Sequence, residues 1–361
     1  MINALWGVLM KSIFFSFLLS FFIHIHVFYA QSSIKNDSIP EISILFKNKA
    51  ILPLKIGYSN RDLKKNTNDS TFIDVQLSYE DEPDSWKTLD VKLRARGNFR
   101  KAKCYFPPVH MRIKKSVGKG TIFEGNKRLK LVLPCSMGKV SNDNIVKEFL
   151  AYKLYEVISP YHFNTRMVTI DFSEVKGKKK KEHKIKGFLI EDDKIVANRF
   201  NGKLLRRFVH PLEQDDITSV QHAFFQYMIS NSDFSVAYLH NQKLIYVDNK
   251  IIPVPYDFDM SGLVNASYAV VSQIQEEHLN ITHVTQRLYR GFKRDNAIFN
   301  QVRKEFIDNK PKLLAIVDSF ASSFENPREY YKAKDFIQDF YEVIEDQSKY
   351  DRNIIAACRM K

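Results

Sequence analysis

Three stretches of the 361-residue chain gather side chains that acid–base, metal and anion chemistry use. Asn231-Ser232-Asp233-Phe234-Ser235 is followed by His240-Asn241, which sets the amide of Asn241 eight residues after the carboxylate of Asp233. Pro253-Val254-Pro255-Tyr256-Asp257-Phe258-Asp259-Met260-Ser261-Gly262 carries two aspartates, and Arg94-Ala95-Arg96-Gly97-Asn98-Phe99-Arg100 ends a strand-like run in guanidinium groups. Phosphoryl transfer needs such parts: a carboxylate near the acceptor hydroxyl, a carboxylate and an amide on a divalent metal, and a cation on the phosphates. Aspartate is also a favoured cap and turn residue, so Asp233 and Asp257 each have a structural reading. His240 reads as structural, because no second histidine stands at ligand spacing.

In this order the three segments resemble the CotH-like family of atypical protein kinases, typified by the spore-coat protein CotH, and more closely its exported bacterial relatives. The resemblance runs from about Val91 to Ala269. It implies an α+β, two-lobed protein-kinase-like fold. The strand-rich N-lobe, with one αC-like helix, would cover residues 31–195, and a mainly helical C-lobe carrying the catalytic and metal loops would cover 196–361. It further implies ATP or another nucleotide with Mg²⁺, and transfer of phosphate to a protein or cell-envelope hydroxyl. Asp233 is then the catalytic base, Asn241 and Asp257 hold the metal, and Asp259 shares or takes that second role.

Lys130 lies on a strand and Glu148, eighteen residues later, on the following helix, the arrangement of a kinase lysine–glutamate ion pair. Lys114 is the rival phosphate-contacting lysine, and Arg96, with Asn98 shaping the turn, would contact phosphates. Gly187-Phe188-Leu189-Ile190-Glu191-Asp192 would form the last small-lobe strand and the hinge, its backbone groups at Glu191 and Asp192 facing adenine. The chain departs from conventional kinases in having no G-x-G-x-x-G loop and no H-R-D triplet; Gly118 and Gly120 leave only a G-x-G fragment. CotH-type proteins lack the standard glycine loop too. The competing reading is a non-catalytic protein of the same fold that binds an anionic ligand or an envelope partner. Asp233, Asn241 and Asp257 together favour chemistry, since a scaffold needs none of them.

The elements that must position these residues follow from periodicity. Ile42–Phe46, Leu52–Ile56, Thr71–Tyr79, Leu89–Ala95, Val109–Ile113 and Arg128–Leu133 read as strands. Ser141-Asn142-Asp143-Asn144 supplies capping residues for a helix carrying Ile145, Phe149, Tyr152 and Tyr155. Two more strands follow, Met167–Asp171 and Ile185–Ile190. From about Asp216 the chain is mostly helical, apart from a strand pair at Leu244–Val247 and Ile251–Val254. The boundary between the two halves falls near Asp192 to Lys203.

Hydrophobic residues make up 44% and aromatics 13%, enough for a sizeable core and against global disorder. Lys11, the apolar run Ile13–Ile23 and Ala30 before Gln31 read as a secretory signal peptide over residues 1–30, with an uncleaved anchor as the rival. Export to a periplasmic, cell-surface or secreted location follows, and no later segment is apolar enough to span a membrane. A net charge of +14 is compatible with nucleic acid, an anionic envelope surface or a polyphosphate ligand, and for an exported chain nucleic acid is not expected. The lysine run Lys176–Lys184 reads as a solvated hairpin tip. Three cysteines form no metal-ligand cluster; outside the cytoplasm Cys104 and Cys135 could pair, leaving Cys358.

Overall fold

The computed structural model describes residues 42–273 and 279–360. The segment expected to be a signal peptide lies outside the described residues. Alternating apolar segments of the first half become β1 (Leu52–Tyr58), β2 (Ile73–Glu82), β3 (Ser85–Ala95), β4 (Val109–Ile113), β5 (Arg128–Val132), β6 (Thr165–Lys176) and β7 (Lys179–Ile190). They close into a barrel in the order β1-β2-β3-β4-β5-β7-β6. All neighbours are antiparallel except β1 and β6, which run parallel from Leu52 opposite Val168 to Tyr58 opposite Glu174. Side chains of alternate parity fill the interior, with Leu77, Tyr79, Leu93, Met111, Leu129 and Phe172 fully buried.

The closed barrel overturns the expected kinase-like fold, whose N-lobe is a sheet rather than a barrel. The reason lies in β1, which bonds to β2 on one side and to β6 on the other, so that neither edge of the sheet stays open. Ile42–Phe46, expected as a strand, instead leads into a short helix, α1 (Ile44–Lys47), that seats Leu45 and Phe46 in the barrel core. The lysine run is the expected solvated hairpin tip: β6 and β7 stay paired out to Lys176 opposite Lys179, and residues 176–182 are exposed.

Four short or long helices interrupt the barrel strands. They are α2 (Asn60–Asn66), α3 (Phe99–Lys103), α4 (Lys115–Gly118) and the long α5 (Lys139–Ile158). After β7 come α6 (Asp193–Asn198), the short β8 (Lys203–Leu205) and α7 (Asp216–Met228), whose N-terminus is capped by the Asp215 side chain accepting from Thr218 N at 3.0 Å. Strands β9 (Gln242–Val247) and β10 (Lys250–Pro255) join β8 in a small sheet. Asp248 and Asn249 turn the β9–β10 hairpin with φ 47° and 62°, the left-handed pair that a tight hairpin asks for. Helices α8 (Asn296–Asp308), α9 (Lys310–Ser319) and α10 (Pro327–Ile344) complete a second core shared with α5 and α7, through Phe225, Phe306, Ile337 and Phe340. No helix among the described residues is long and apolar enough to cross a membrane.

Candidate functional site

Two loops and the end of a strand meet at a cavity of about 650 Å³. The first loop leaves α7 at Ile229. Asn231 turns it by donating its side-chain amide to Gln226 Oε1 at 2.9 Å while its own Oδ1 accepts from Asp233 N at 3.0 Å. Arg290, buried, donates to the carbonyls of Ser232 and Phe234 at 2.7 and 2.6 Å and fixes the backbone on both sides of Asp233. Asn241 returns to the same residue: its Nδ2 donates to Asp233 Oδ2 at 2.9 Å and to Asp233 O at 2.6 Å. Asn241 has φ 53°, a left-handed conformation that asparagine tolerates. His240 Nε2 stands 3.2 Å from Asp233 Oδ1, and this contact raises the imidazole above its ordinary range against the opposing effect of burial.

The second loop follows β10. Tyr256 N donates to Asn241 O at 3.1 Å, so the two loops share a hydrogen bond at the point where Asp257 emerges. Asp257 has φ 67°, and its N–H donates to the hydroxyl of Tyr152 on α5 at 2.9 Å. Among the described residues its carboxylate makes no hydrogen bond or ion pair. Phe258 anchors the loop between Tyr152 and Phe225, with ring centroids 4.7 and 5.4 Å away. Asp259 is 4% exposed and accepts from the Tyr268 hydroxyl at 3.1 Å.

The third wall is the end of β3. Gly97, at φ 72°, turns the chain into α3, which carries Arg100 inward while Arg96 borders the cavity. Arg100 Nη1 lies 3.7 Å from Glu148 Oε2 and 3.6 Å from Asp259 Oδ2, and Nη2 donates to Leu133 O. Cys104 closes α3 and is disulfide-bonded to Cys135, just beyond β5. One guanidinium thus faces two buried carboxylates. Burial, with Asp259 adding to it and Arg100 opposing, holds Glu148 well above the carboxylate range. Burial also pushes Asp259 up to about 6; Arg100 opposes this, and Asp257 and Asp233 add to it. Burial works against the charge on Arg100, and its acidic neighbours Tyr268, Asp259 and Glu148 more than restore it. The cluster is short of positive charge.

Asp233, Asn241, Asp257, Asp259 and Arg96 all border this one cavity. Other expected residues lie elsewhere. Lys130 does not pair with Glu148; it is bonded to Asp193, which Lys243 approaches at 3.6 Å, and it stacks 4.9 Å from the Tyr256 ring. Burial lowers the Lys130 ammonium despite Asp193. Glu191 is locked in a buried bond with Arg199 and accepts from Asn164 N at 2.6 Å. Asp192 caps α6, accepting from Lys194 N at 3.1 Å, and pairs with Arg128 at 2.9 Å. Lys114 is exposed and borders a different cleft. Sequence reasoning assigned no role to Arg100, Tyr152 or Tyr268. Arg100 ends the Arg94–Arg100 segment, and its signal was an arginine three residues after Gly97, which a single sequence does not separate from its neighbours Arg94 and Arg96.

Among the described residues no three His, Cys, Asp or Glu side chains converge into a metal cage. Mg²⁺ seldom uses one; it takes one or two carboxylates and completes its shell with water and phosphate oxygens. The Asp257 carboxylate, the Asn241 Oδ1 left over by its donating Nδ2, and Asp259 are hard oxygen donors that suit this ion. No family model matches the chain, and no curated protein matches it.

Proposed function

We propose that the cavity is the active site of a phosphotransferase that uses Mg²⁺ and a nucleotide, ATP being the first candidate, and that passes phosphate to a protein or cell-envelope hydroxyl. The observation that carries this reading is one cavity bordered by Asp233, Asn241, Asp257, Asp259, Arg96 and Arg100. The likeness to CotH-like kinases enters through these loop segments and not through the barrel. Asp257, Asn241 and Asp259 would hold the ion, and Arg96 and Arg100 would face the phosphates. Bound Mg²⁺ supplies charge neutralisation at the phosphate oxygens. In the transfer the acceptor oxygen bonds to the terminal phosphorus as the bridging P–O bond breaks; the nucleoside diphosphate leaves with the electron pair, and the hydroxyl proton passes to Asp233.

A second reading, an anionic-ligand site without transfer, is favoured by one observation. Both oxygens of Asp233 are already engaged, Oδ1 by His240 and Oδ2 by Asn241. Calorimetry with ATP, with and without Mg²⁺, beside a phosphate-transfer assay on envelope and protein acceptors separates the two. Metal-dependent binding with transfer supports the first; binding without transfer supports the second. No nucleotide binding under either condition removes the phosphotransferase reading.

A further inference from the structure

The face of β3, β4 and β5 turned away from the barrel core carries cations in transverse rows. Register sets Asp74, Lys92, Arg112 and Arg128 side by side across four strands, and Arg94, His110 and Lys130 in the next row. Like charges directly opposite one another on neighbouring strands are destabilising. The ends of the first row are neutralised: Asp74 stands 2.8 Å from Lys92 Nζ and Asp192 stands 2.9 Å from Arg128 Nε. Arg112, between them, is exposed and has no carboxylate partner among the described residues; its guanidinium lies 4.1 Å over the Phe72 ring.

The row opens into a cleft of about 580 Å³. Lys114, Lys115 and Lys127 border it, each exposed and without a carboxylate partner among the described residues. Asp74 and Asp90 are the acids on its wall, and half-buried Val117 adds an apolar patch beside Ile113, whose side chain belongs to the barrel core. His110 reports the local field. Its imidazole is held down to about 4, first by burial and then by Arg94, Lys130, Arg112 and Arg96.

We infer that this cleft docks an extended acidic peptide segment, at a place distinct from the cavity around Asp257. No residue borders both openings. Four unpaired cations set the charge of the partner. The Phe72 ring holds the Arg112 fork flat and preorganised for two-pronged contact with a carboxylate. Val117 has no use for a bare phosphate chain, whereas a peptide sets aliphatic side chains between its carboxylates. A concave cleft does not lie flat on a bilayer.

Fluorescence anisotropy of a short labelled peptide alternating Glu and Val, titrated with the full chain at low salt, tests this. The peptide should bind, lose affinity as salt rises, and have a counterpart with Gln for Glu that does not bind. Arg112→Glu combined with Lys127→Glu should weaken binding about tenfold or more, with Arg112→Gln giving a smaller loss of the same sign. Unchanged near-ultraviolet circular dichroism of these surface variants shows that the fold is intact. Asp257→Ala should leave peptide binding unchanged. Binding indifferent to the charge reversals, or lost in Asp257→Ala, would overturn the assignment. So would an absence of peptide binding beside charge-reversal-sensitive binding of phosphatidylglycerol vesicles or inorganic pyrophosphate.

Discussion

The Arg100 guanidinium stands between two buried carboxylates, 3.7 Å from Glu148 and 3.6 Å from Asp259, with exposures of 7% for Arg100, 2% for Glu148 and 4% for Asp259. Removing one member of a buried ion group leaves an uncompensated charge, which typically costs about 3–5 kcal/mol. Arg100→Ala should destabilise the protein by that order in urea unfolding. Arg100→Ala with Glu148→Gln should recover part of the loss, because the orphaned acid is then neutral. A loss below about 1 kcal/mol for Arg100→Ala would show that the three groups do not form one network.

Asp257 and Asp233 should separate by the step they affect. Asp257→Ala removes an unpaired carboxylate at the opening and should abolish Mg²⁺-dependent nucleotide binding with the melting temperature held. Asp233→Ala should keep much of the binding and lose transfer, since general-base help is typically worth roughly 10²–10⁴-fold. Lys130 is bonded to Asp193 rather than to Glu148, so Lys130→Ala should weaken nucleotide binding less than Arg100→Lys does. Calorimetry and a transfer assay on the four variants read these differences. Tight metal-dependent binding by Asp257→Ala would refute the metal assignment.

The convergence of Asp233, Asn241 and Asp257 on one cavity was legible because it is local. Asp233 and Asn241, eight residues apart, need only one turn to meet, and Asp257 follows a hairpin whose two apolar runs and Asp248-Asn249 turn are visible in the chain. The barrel was not legible, because its closure depends on β1 pairing with β6 more than a hundred residues later, and nothing in Leu52–Tyr58 names that partner. The Lys130–Glu148 expectation failed for a similar reason. Residue spacing put both in the right neighbourhood, but Arg100 reaches Glu148 from a turn set by Gly97. Lys130 then finds Asp193, sixty-three residues away, instead. The disulfide stood open in the sequence and the structure forms it, since Tyr105 N bonds to Cys135 O at 2.7 Å and draws the two segments together.

That disulfide ties the end of α3, and so Arg100, to the segment beyond β5. Its sequence separation is 31, for which the chain-entropy account gives on the order of 3–4 kcal/mol. Cys135→Ser should lower stability by about that amount. It should also weaken nucleotide binding, because α3 is only five residues long and has few other anchors. Urea unfolding with and without reductant, beside calorimetry, checks both effects. Free thiols on both residues in peptide mapping of the native protein would remove the premise.

Gly262 closes the loop that carries Asp257 and Asp259 by packing backbone on backbone. Its N–H donates to Ser230 O at 2.9 Å, and a Cβ built on it would lie 2.5 Å from Val284 O and 2.8 Å from Ser230 Cβ. Neither neighbour is the far end of a flexible side chain. Gly262→Ala must therefore shift the loop that runs back to Asp259, at a cost of about 1–3 kcal/mol. It should weaken metal-dependent nucleotide binding while leaving the Glu–Val peptide bound at the β3–β5 face. Equal stability and binding in Gly262→Ala and the unmodified protein would contradict this close contact.

Acid stability should carry the mark of His222. This residue sits on α7, fully buried, with its ring 5.3 Å from Phe234 and Gln226 Nε2 3.5 Å away. Burial alone lowers the imidazole from an ordinary 6.5 to about 3. Between those values the unfolded chain holds a proton that the folded chain does not, so stability is full above the unfolded value and declines as pH falls. The limiting slope is about 1.4 kcal/mol for each pH unit in that window. Carboxylates titrate in the same range, so the comparison must be with a variant. His222→Gln keeps polarity and approximate size but cannot take up the proton. Its stability deficit relative to the unmodified protein should shrink as the pH is lowered from about 7 to about 5. Urea unfolding across that range provides the measurement. A deficit that stays constant, or grows toward acid, would mean that His222 is charged in the folded protein and that the buried neutral ring is wrong.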